Sequence, residues 1–217
     1  GAQYFVQHFN RVGAGERQQG REQGDDATAL DSLYQLASLY EEKLSDAAAA
    51  TSALEQVRAI APRDTRALQG LLRAYRAAAR HADEAGVLSA LVELEPEDVA
   101  AGLTRELAQL AMTQLGDPSA AEAALRKMLS LHPGHAPTQA LLREHLLATK
   151  AYDKLAVLLA EDAERATDDG VRIELLQQVA ALYQNELASP ERAVQYLEQA
   201  VALRPDDRAS LLSQCDL

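Results

Sequence analysis

The chain has 217 residues with 21 Lys and Arg against 33 Asp and Glu, a net charge of −12, and so acidic a balance argues against sequence-independent binding to nucleic-acid phosphates. Cys215 is the only cysteine, which excludes an intrachain disulfide and any zinc site with two or more cysteine ligands. Ala, Leu, Glu, Gln and Arg dominate, Trp is absent and only 4% of residues are aromatic, so the core must close on Leu, Val and Ala, which suits stacked helices better than sheets.

The chain opens on Gly1-Ala2 without Met, then on the aromatic stretch AQYFVQHFNRV with Tyr4 and both Phe residues, then on a glycine-rich stretch from Gly13 to Gly24. Residues 1–30 therefore read as an N-terminal aromatic segment and a flexible linker, the aromatic part capping the first hairpin or docking elsewhere. From there apolar residues recur at i, i+3, i+4 and i+7, as in Leu33, Leu36, Ala37 and Tyr40, the spacing of one buried helix face. Helices are expected over 31–44 and 47–60, the second capped by Asp46, and the pair closes at Pro62. The next pair, 65–80 and 83–94, carries Leu68, Leu71, Leu72 and Tyr75 and closes at Pro96. Helices over 98–115 and 118–131 follow, with Asp117 as cap, Pro118 at the favoured first position and Pro133 as the stop. Those over 137–149 and 152–166 have no closing proline, so the outer one is expected to run on toward Asp168. The last pair, 170–187 and 190–203, takes Ser189 as cap and ends at Pro205. Residues 206–217 begin like the first helix of a further unit, so the chain reads as a piece of a longer array.

Pro62, Pro96, Pro133 and Pro205 fall at intervals of about 34 to 37 residues, the last interval spanning two of them, and a period of this size marks a repeat architecture. Leu36, Leu107 and Val179 correspond, two units apart each time, as do Ala37, Ala108 and Ala180, and Ala50, Ala121 and Ala193. Between these units lie two of a second type, in which Leu71, Leu72, Tyr75 and Leu88 recur as Leu141, Leu142, His145 and Leu158. The order is a-b-a-b-a. The facing alanines allow the two helices of a hairpin to approach closely, and one hairpin cannot bury its second apolar face alone. The expected fold is all-α, a right-handed α-solenoid of about five stacked hairpins in one continuous unit, with units at about 31–64, 65–97, 98–135, 136–169 and 170–205.

Leu176, Val179, Ala180, Tyr183, Ala193, Ala200 and Pro205 follow a pattern of large apolar, Leu-small and Tyr in a first helix, small residues in a second and a closing Pro. This resembles the tetratricopeptide repeat (TPR) family. The first and third units fit well and the fourth departs, with His145 where Tyr is usual. The long units, of about 34–38 residues, and their alternation are similar to extended bacterial arrays. The resemblance implies a TPR-like superhelix that holds a protein or extended peptide along its concave face. The family's carboxylate clamp needs basic or amide residues where this chain has Gly70 and Glu106, so that particular clamp is not expected.

Other chemistry finds little support. His132-Pro-Gly-His135 has the spacing of two metal ligands, but it lies on an inter-unit turn with no third His or Cys nearby. Carboxylate pairs such as Glu41-Glu42, Asp168-Asp169 and Asp206-Asp207 sit on polar faces or at helix starts, where they complement the helix dipole. The glycine-rich stretch follows no apolar strand and precedes no Gly-Lys-Ser/Thr, so it is no phosphate loop. No metal, cofactor or catalytic set is expected, and the reading is of a protein that is not an enzyme. No apolar run reaches the length of a membrane span, and no signal-peptide pattern opens the chain. A soluble chain is expected, with cytoplasm and periplasm both open.

The informative feature is charge on the first helices. Asp31, Tyr34, Ser38 and Glu41 are the expected exposed inner positions of the first unit. In the middle units these become Arg66, Gln69, Arg73 and Arg76, then Arg105 and Gln109, then Arg143. An acidic chain thus places arginines along its middle groove, and the planar guanidinium grips carboxylates bidentately. The reading that follows is a scaffold or adaptor binding an acidic protein or peptide. Two alternatives stand beside it: a regulatory or substrate-presenting module of a larger enzyme or secretion or assembly machine, and a structural spacer that self-associates head to tail through its array ends.

Overall fold

The computed structural model describes residues 23–204, and among them every regular element is helical. In chain order the helices are α1 (Gln23–Leu39), α2 (Ala47–Ile60), α3 (Thr65–Ala77), α4 (His81–Val92), α5 (Glu97–Leu110), α6 (Pro118–Leu131), α7 (Ala136–Ala148), α8 (Tyr152–Arg165), α9 (Asp169–Asn185) and α10 (Pro190–Leu203). Two π-helical turns, Tyr40–Leu44 and Ala111–Leu115, prolong α1 and α5. The expectations for the aromatic stretch near the N-terminus and for 206–217 fall outside the described residues. Helix already occupies residues 23–30, which the sequence reading assigned to the linker.

The chain divides into two compact units, residues 1–95 and 96–217, where one continuous unit was expected. The division falls at Pro96, whose φ of −57° and ψ of 156° take the backbone out of helix, the ring holding that φ in place. In the first unit, α1 packs on α2, α2 on α3 and α3 on α4. Leu33, Val57 and Ala67 form one buried cluster, and Leu36, Ala37 and Ala53 another. In the second unit each helix from α5 to α10 packs on the next, around a core that runs from Leu125 through Leu142, Leu159 and Leu176 to Ala200. The small residues expected at the hairpin contacts are buried, Ala121, Ala180 and Ala193 fully and Ala37 and Ala50 nearly so, while Ala108 is half-buried.

Helix starts follow a shared device. Asp46, Asp64, Asp117 and Asp168 each accept a hydrogen bond from the backbone N–H three residues on, at 2.9, 3.1, 2.9 and 2.9 Å, which satisfies one of the donors a helix start leaves open. Ser189, expected to do the same, makes no side-chain cap bond. Its backbone N–H instead closes the preceding turn by donating to the Tyr183 carbonyl at 2.8 Å, and Pro190 at the first helical position removes a donor that would need a partner. α8 stops at Arg165 rather than running on toward Asp168, because Ala166 is extended. Arg172 holds that stop by donating to the carbonyls of Ala163 and Ala166 at 3.2 and 2.6 Å.

The a and b hairpins differ in how the first helix closes. In b hairpins Arg80 N–H donates to the Tyr75 carbonyl and Ala151 N–H to the Leu146 carbonyl, both at 2.9 Å. The residue before each donor, Ala79 or Lys150, is left-handed with φ of 52° or 56°. This is the Schellman closure. In a hairpins the loop is one residue longer: Asp46, Asp117 and Ser189 donate to the carbonyls of Tyr40, Ala111 and Tyr183 at 3.0, 2.9 and 2.8 Å. Ser45, Gly116 and Ala188 are the left-handed residues there, with φ of 52°, 61° and 46°. At Tyr40–Leu44 and Ala111–Leu115 the extra residue is absorbed as a π turn.

Candidate functional site

Leu68, Leu71, Leu72 and Tyr75 bury one face of α3, which leaves Arg66, Gln69, Arg73 and Arg76 exposed on the other. Three of these four are engaged within the first unit. The Arg66 guanidinium lies 4.2 Å from the centroid of the Tyr34 ring, a cation–π contact that ties α3 to α1. Tyr34, expected to be exposed, is half-buried under it, and burial together with the neighbouring Asp64 carboxylate pushes its hydroxyl up to about 12. Gln69 donates to Glu95 at 3.2 Å. Arg76 donates through Nε to Glu84 at 2.9 Å, a carboxylate that is itself nearly buried on α4. Arg73 is the fourth, exposed and in no ion pair among the described residues.

In the second unit, Arg105 and Gln109 stand exposed one turn apart on α5, and Arg105 likewise has no ion-pair partner among the described residues. Arg143 on α7 differs from the expectation. It is half-buried and donates to Asp162 of α8 at 2.6 Å, with side-chain exposures of 37% and 8% for the two partners. Asp162 also receives Arg165 at 3.3 Å. Removing one member of such a pair leaves a largely desolvated charge, so Arg143 is committed to the fold of its own hairpin.

The sequence reading missed the partners of these arginines, Tyr34, Glu84, Glu95 and Asp162. A usable signal was present in one case. Arg73 and Arg143 share a register in successive b hairpins, and at the matching outer-helix register those hairpins carry Val92 and Asp162. Only the hairpin with the aspartate can neutralise its arginine.

The remaining candidates take structural places. His135 Nδ1 accepts the Thr138 N–H at 3.2 Å and lies 2.8 Å from its hydroxyl, so the ring caps α7. His132 lies on the same turn with Nδ1 3.6 Å from Glu97. His145 is half-buried. A Cβ added to Gly70 would meet Leu54 Cδ1 at 2.8 Å, so a side chain there requires that leucine to shift. Among the described residues no group of three or more His, Cys, Asp or Glu could hold a metal, and no helix is long and apolar enough to cross a membrane.

Residues 173–207 match the family described as Tetratricopeptide repeat. No curated protein matches the sequence. Among solved structures the chain is similar to the MamA protein, at 17% identity over 83% of this chain and 94% of that one, with a TM-score of 0.40. It is also similar to YrrB, described as a TPR protein with an unusual peptide-binding site, at 15% identity over 88% and 98% of the two chains and a TM-score of 0.37. A thermophilic TPR protein of Thermus thermophilus is 20% identical over 88% of this chain and all of its own, with a TM-score of 0.34. The unit at 173–207 thus carries a tetratricopeptide repeat, and its hairpin closure recurs at Tyr40 and Ala111.

Proposed function

We propose that the chain is a protein-interaction scaffold that receives acidic peptide segments on the exposed faces of its first helices, on α3 in the first unit and on α5 and α7 in the second. The observation that carries this reading is the pair Arg73 and Arg105. In a chain of net charge −12, two exposed guanidinium groups have no ion-pair partner among the described residues. Arg66 and Gln69 flank Arg73 on α3, and Gln109 lies one turn from Arg105; Arg76 and Arg143 are already paired with Glu84 and Asp162 and serve only to shape the faces of α3 and α7. A carboxylate gripped bidentately by arginine, with partial loss of water, contributes more than an exposed ion pair.

The test is fluorescence anisotropy with a labelled polyglutamate peptide. The double variant Arg73→Glu/Arg105→Glu is expected to weaken binding about tenfold or more with Tm unchanged, and binding by the parent should fall as salt is raised. Equal affinities for parent and double variant would show these arginines to be ordinary solvated surface.

A further inference from the structure

The second unit carries a separate cleft on its outer helices, away from Arg105 and Arg143 in sequence. It encloses about 450 Å³, within the range of ligand-binding clefts. The ring of Tyr183 lines it, buried and stacked on Tyr196 at 5.6 Å and 7°, which holds this wall in place. Val157, 54% exposed, and the half-buried Leu187 add apolar surface. Around them stand three cations, Arg126, Lys154 and Arg192, against one lining anion, Asp153.

The cations are held in different ways. Glu122 accepts from Arg126 Nε at 2.8 Å and from Lys154 Nζ at 2.7 Å. Burial alone would raise the Glu122 carboxyl, but the hydrogen bonds from Lys154 and Arg126 together with their charges offset it and keep it below its usual value. Each of the two cations commits one donor to Glu122 and has others to offer, since an ammonium carries three and a guanidinium five. Arg192 has no carboxylate partner among the described residues. Its guanidinium lies 5.4 Å from the Tyr183 ring centroid and 3.4 Å from the Tyr183 hydroxyl, which fixes it beside the apolar wall. A cation held on an aromatic face next to exposed Val and Leu carbon complements a carboxylate whose neighbour is apolar.

We propose that this cleft binds an acidic-apolar peptide segment of a partner protein, with a side-chain carboxylate on Arg192 and an adjacent aliphatic side chain against Val157 and Leu187. The site is independent of the separate faces of α3 and of α5 that carry Arg73 and Arg105. The probe is a short fluorescein-labelled peptide alternating Glu and Leu, acetylated and amidated so that only side-chain carboxylates are present, titrated into the full chain. Arg192→Glu should weaken binding about tenfold or more. Val157→Glu, an exposed helix position where folding is not at risk, should do the same by repelling the carboxylate. Arg73→Glu/Arg105→Glu should retain binding, and the probe with Gln for Glu should bind about tenfold more weakly than the acidic one. Amide NMR shifts on titration should centre on Tyr183, Leu187 and Val157. The proposal is overturned if the parent does not bind the probe, if both cleft variants bind as the parent does, if the Gln probe binds equally, or if the shifts fall on α3 and α5 instead. Loss of binding in the Arg73/Arg105 double variant alone would favour the first-helix surface and exclude the cleft, so the two readings fail separately.

Discussion

Arg73 and Arg143 occupy one register in two b hairpins and have opposite fates, because one outer helix supplies Asp162 and the other Val92. The position therefore does not decide whether an arginine is exposed charge or part of the fold; its partner does. Tyrosines at the same scale give a measurable consequence. Burial, then the Glu55 carboxylate that accepts from its hydroxyl at 2.9 Å, pushes Tyr75 up to about 12, and burial with Asp64 does the same for Tyr34. An unfolded tyrosine titrates near 10. Above that pH the unfolded chain releases these protons while the folded chain keeps them, so their contribution to stability is complete below about 10 and is lost as pH rises toward 12. Ultraviolet difference titration should show both groups ionising after an ordinary tyrosine, and Tyr34→Phe or Tyr75→Phe should flatten the alkaline fall in stability; an unchanged slope in both variants would place the effect elsewhere. The arginines were legible in sequence from helical spacing alone. Most of their partners were not, since Tyr34 and Glu84 reach Arg66 and Arg76 from other helices and only packing decides which side chain arrives; Asp162, in register on the outer helix of its own hairpin, is the exception.

The helices were legible because their ends carry chemistry: Asp46, Asp117 and the prolines punctuate the chain where backbone donors and acceptors run out. α1 reaches further back than expected because the apolar period begins only at Leu30, and the exposed Asp26, Ala27 and Thr28 before it carry no apolar stripe. The extra residue of the a hairpins was visible as unit length, but nothing local marks a π turn, since any side chain can occupy it. The closing residues lead to a direct prediction. Lys150 and Ala188 hold φ of 56° and 46°, a conformation that costs a residue with a Cβ roughly 1–2 kcal/mol and that glycine adopts freely. Gly116 already fills the place equivalent to Ala188 in the third hairpin at φ 61°. Lys150→Gly and Ala188→Gly should each raise stability by about 0.5–1 kcal/mol, the entropy of the unfolded glycine offsetting part of the relief. Chemical denaturation that shows either variant less stable than the parent would mean that those turns relax in solution.

Across the whole chain, stability in an array is set by each hairpin and its neighbours rather than by one central core, and the chain divides between residues 95 and 96. Ala180 is fully buried in the core cluster of the second unit, so Ala180→Leu should overpack α9 at a cost of roughly 1–3 kcal/mol. Amide hydrogen exchange followed by mass spectrometry should show lost protection among residues of α8 to α10, with α1 to α4 exchanging as in the parent. Loss spread evenly over both units would show that they unfold as one. The two closures, differing in length by a single position, have a consequence for anyone who would lengthen or shorten this protein. A lone hairpin is an incomplete module, because removing one would set two identical closures side by side. The quantum of growth is the a-b pair, so chimaeras and truncations cut at whole pairs should keep their alternation, while those cut between the members of a pair join hairpins in an order this chain never uses.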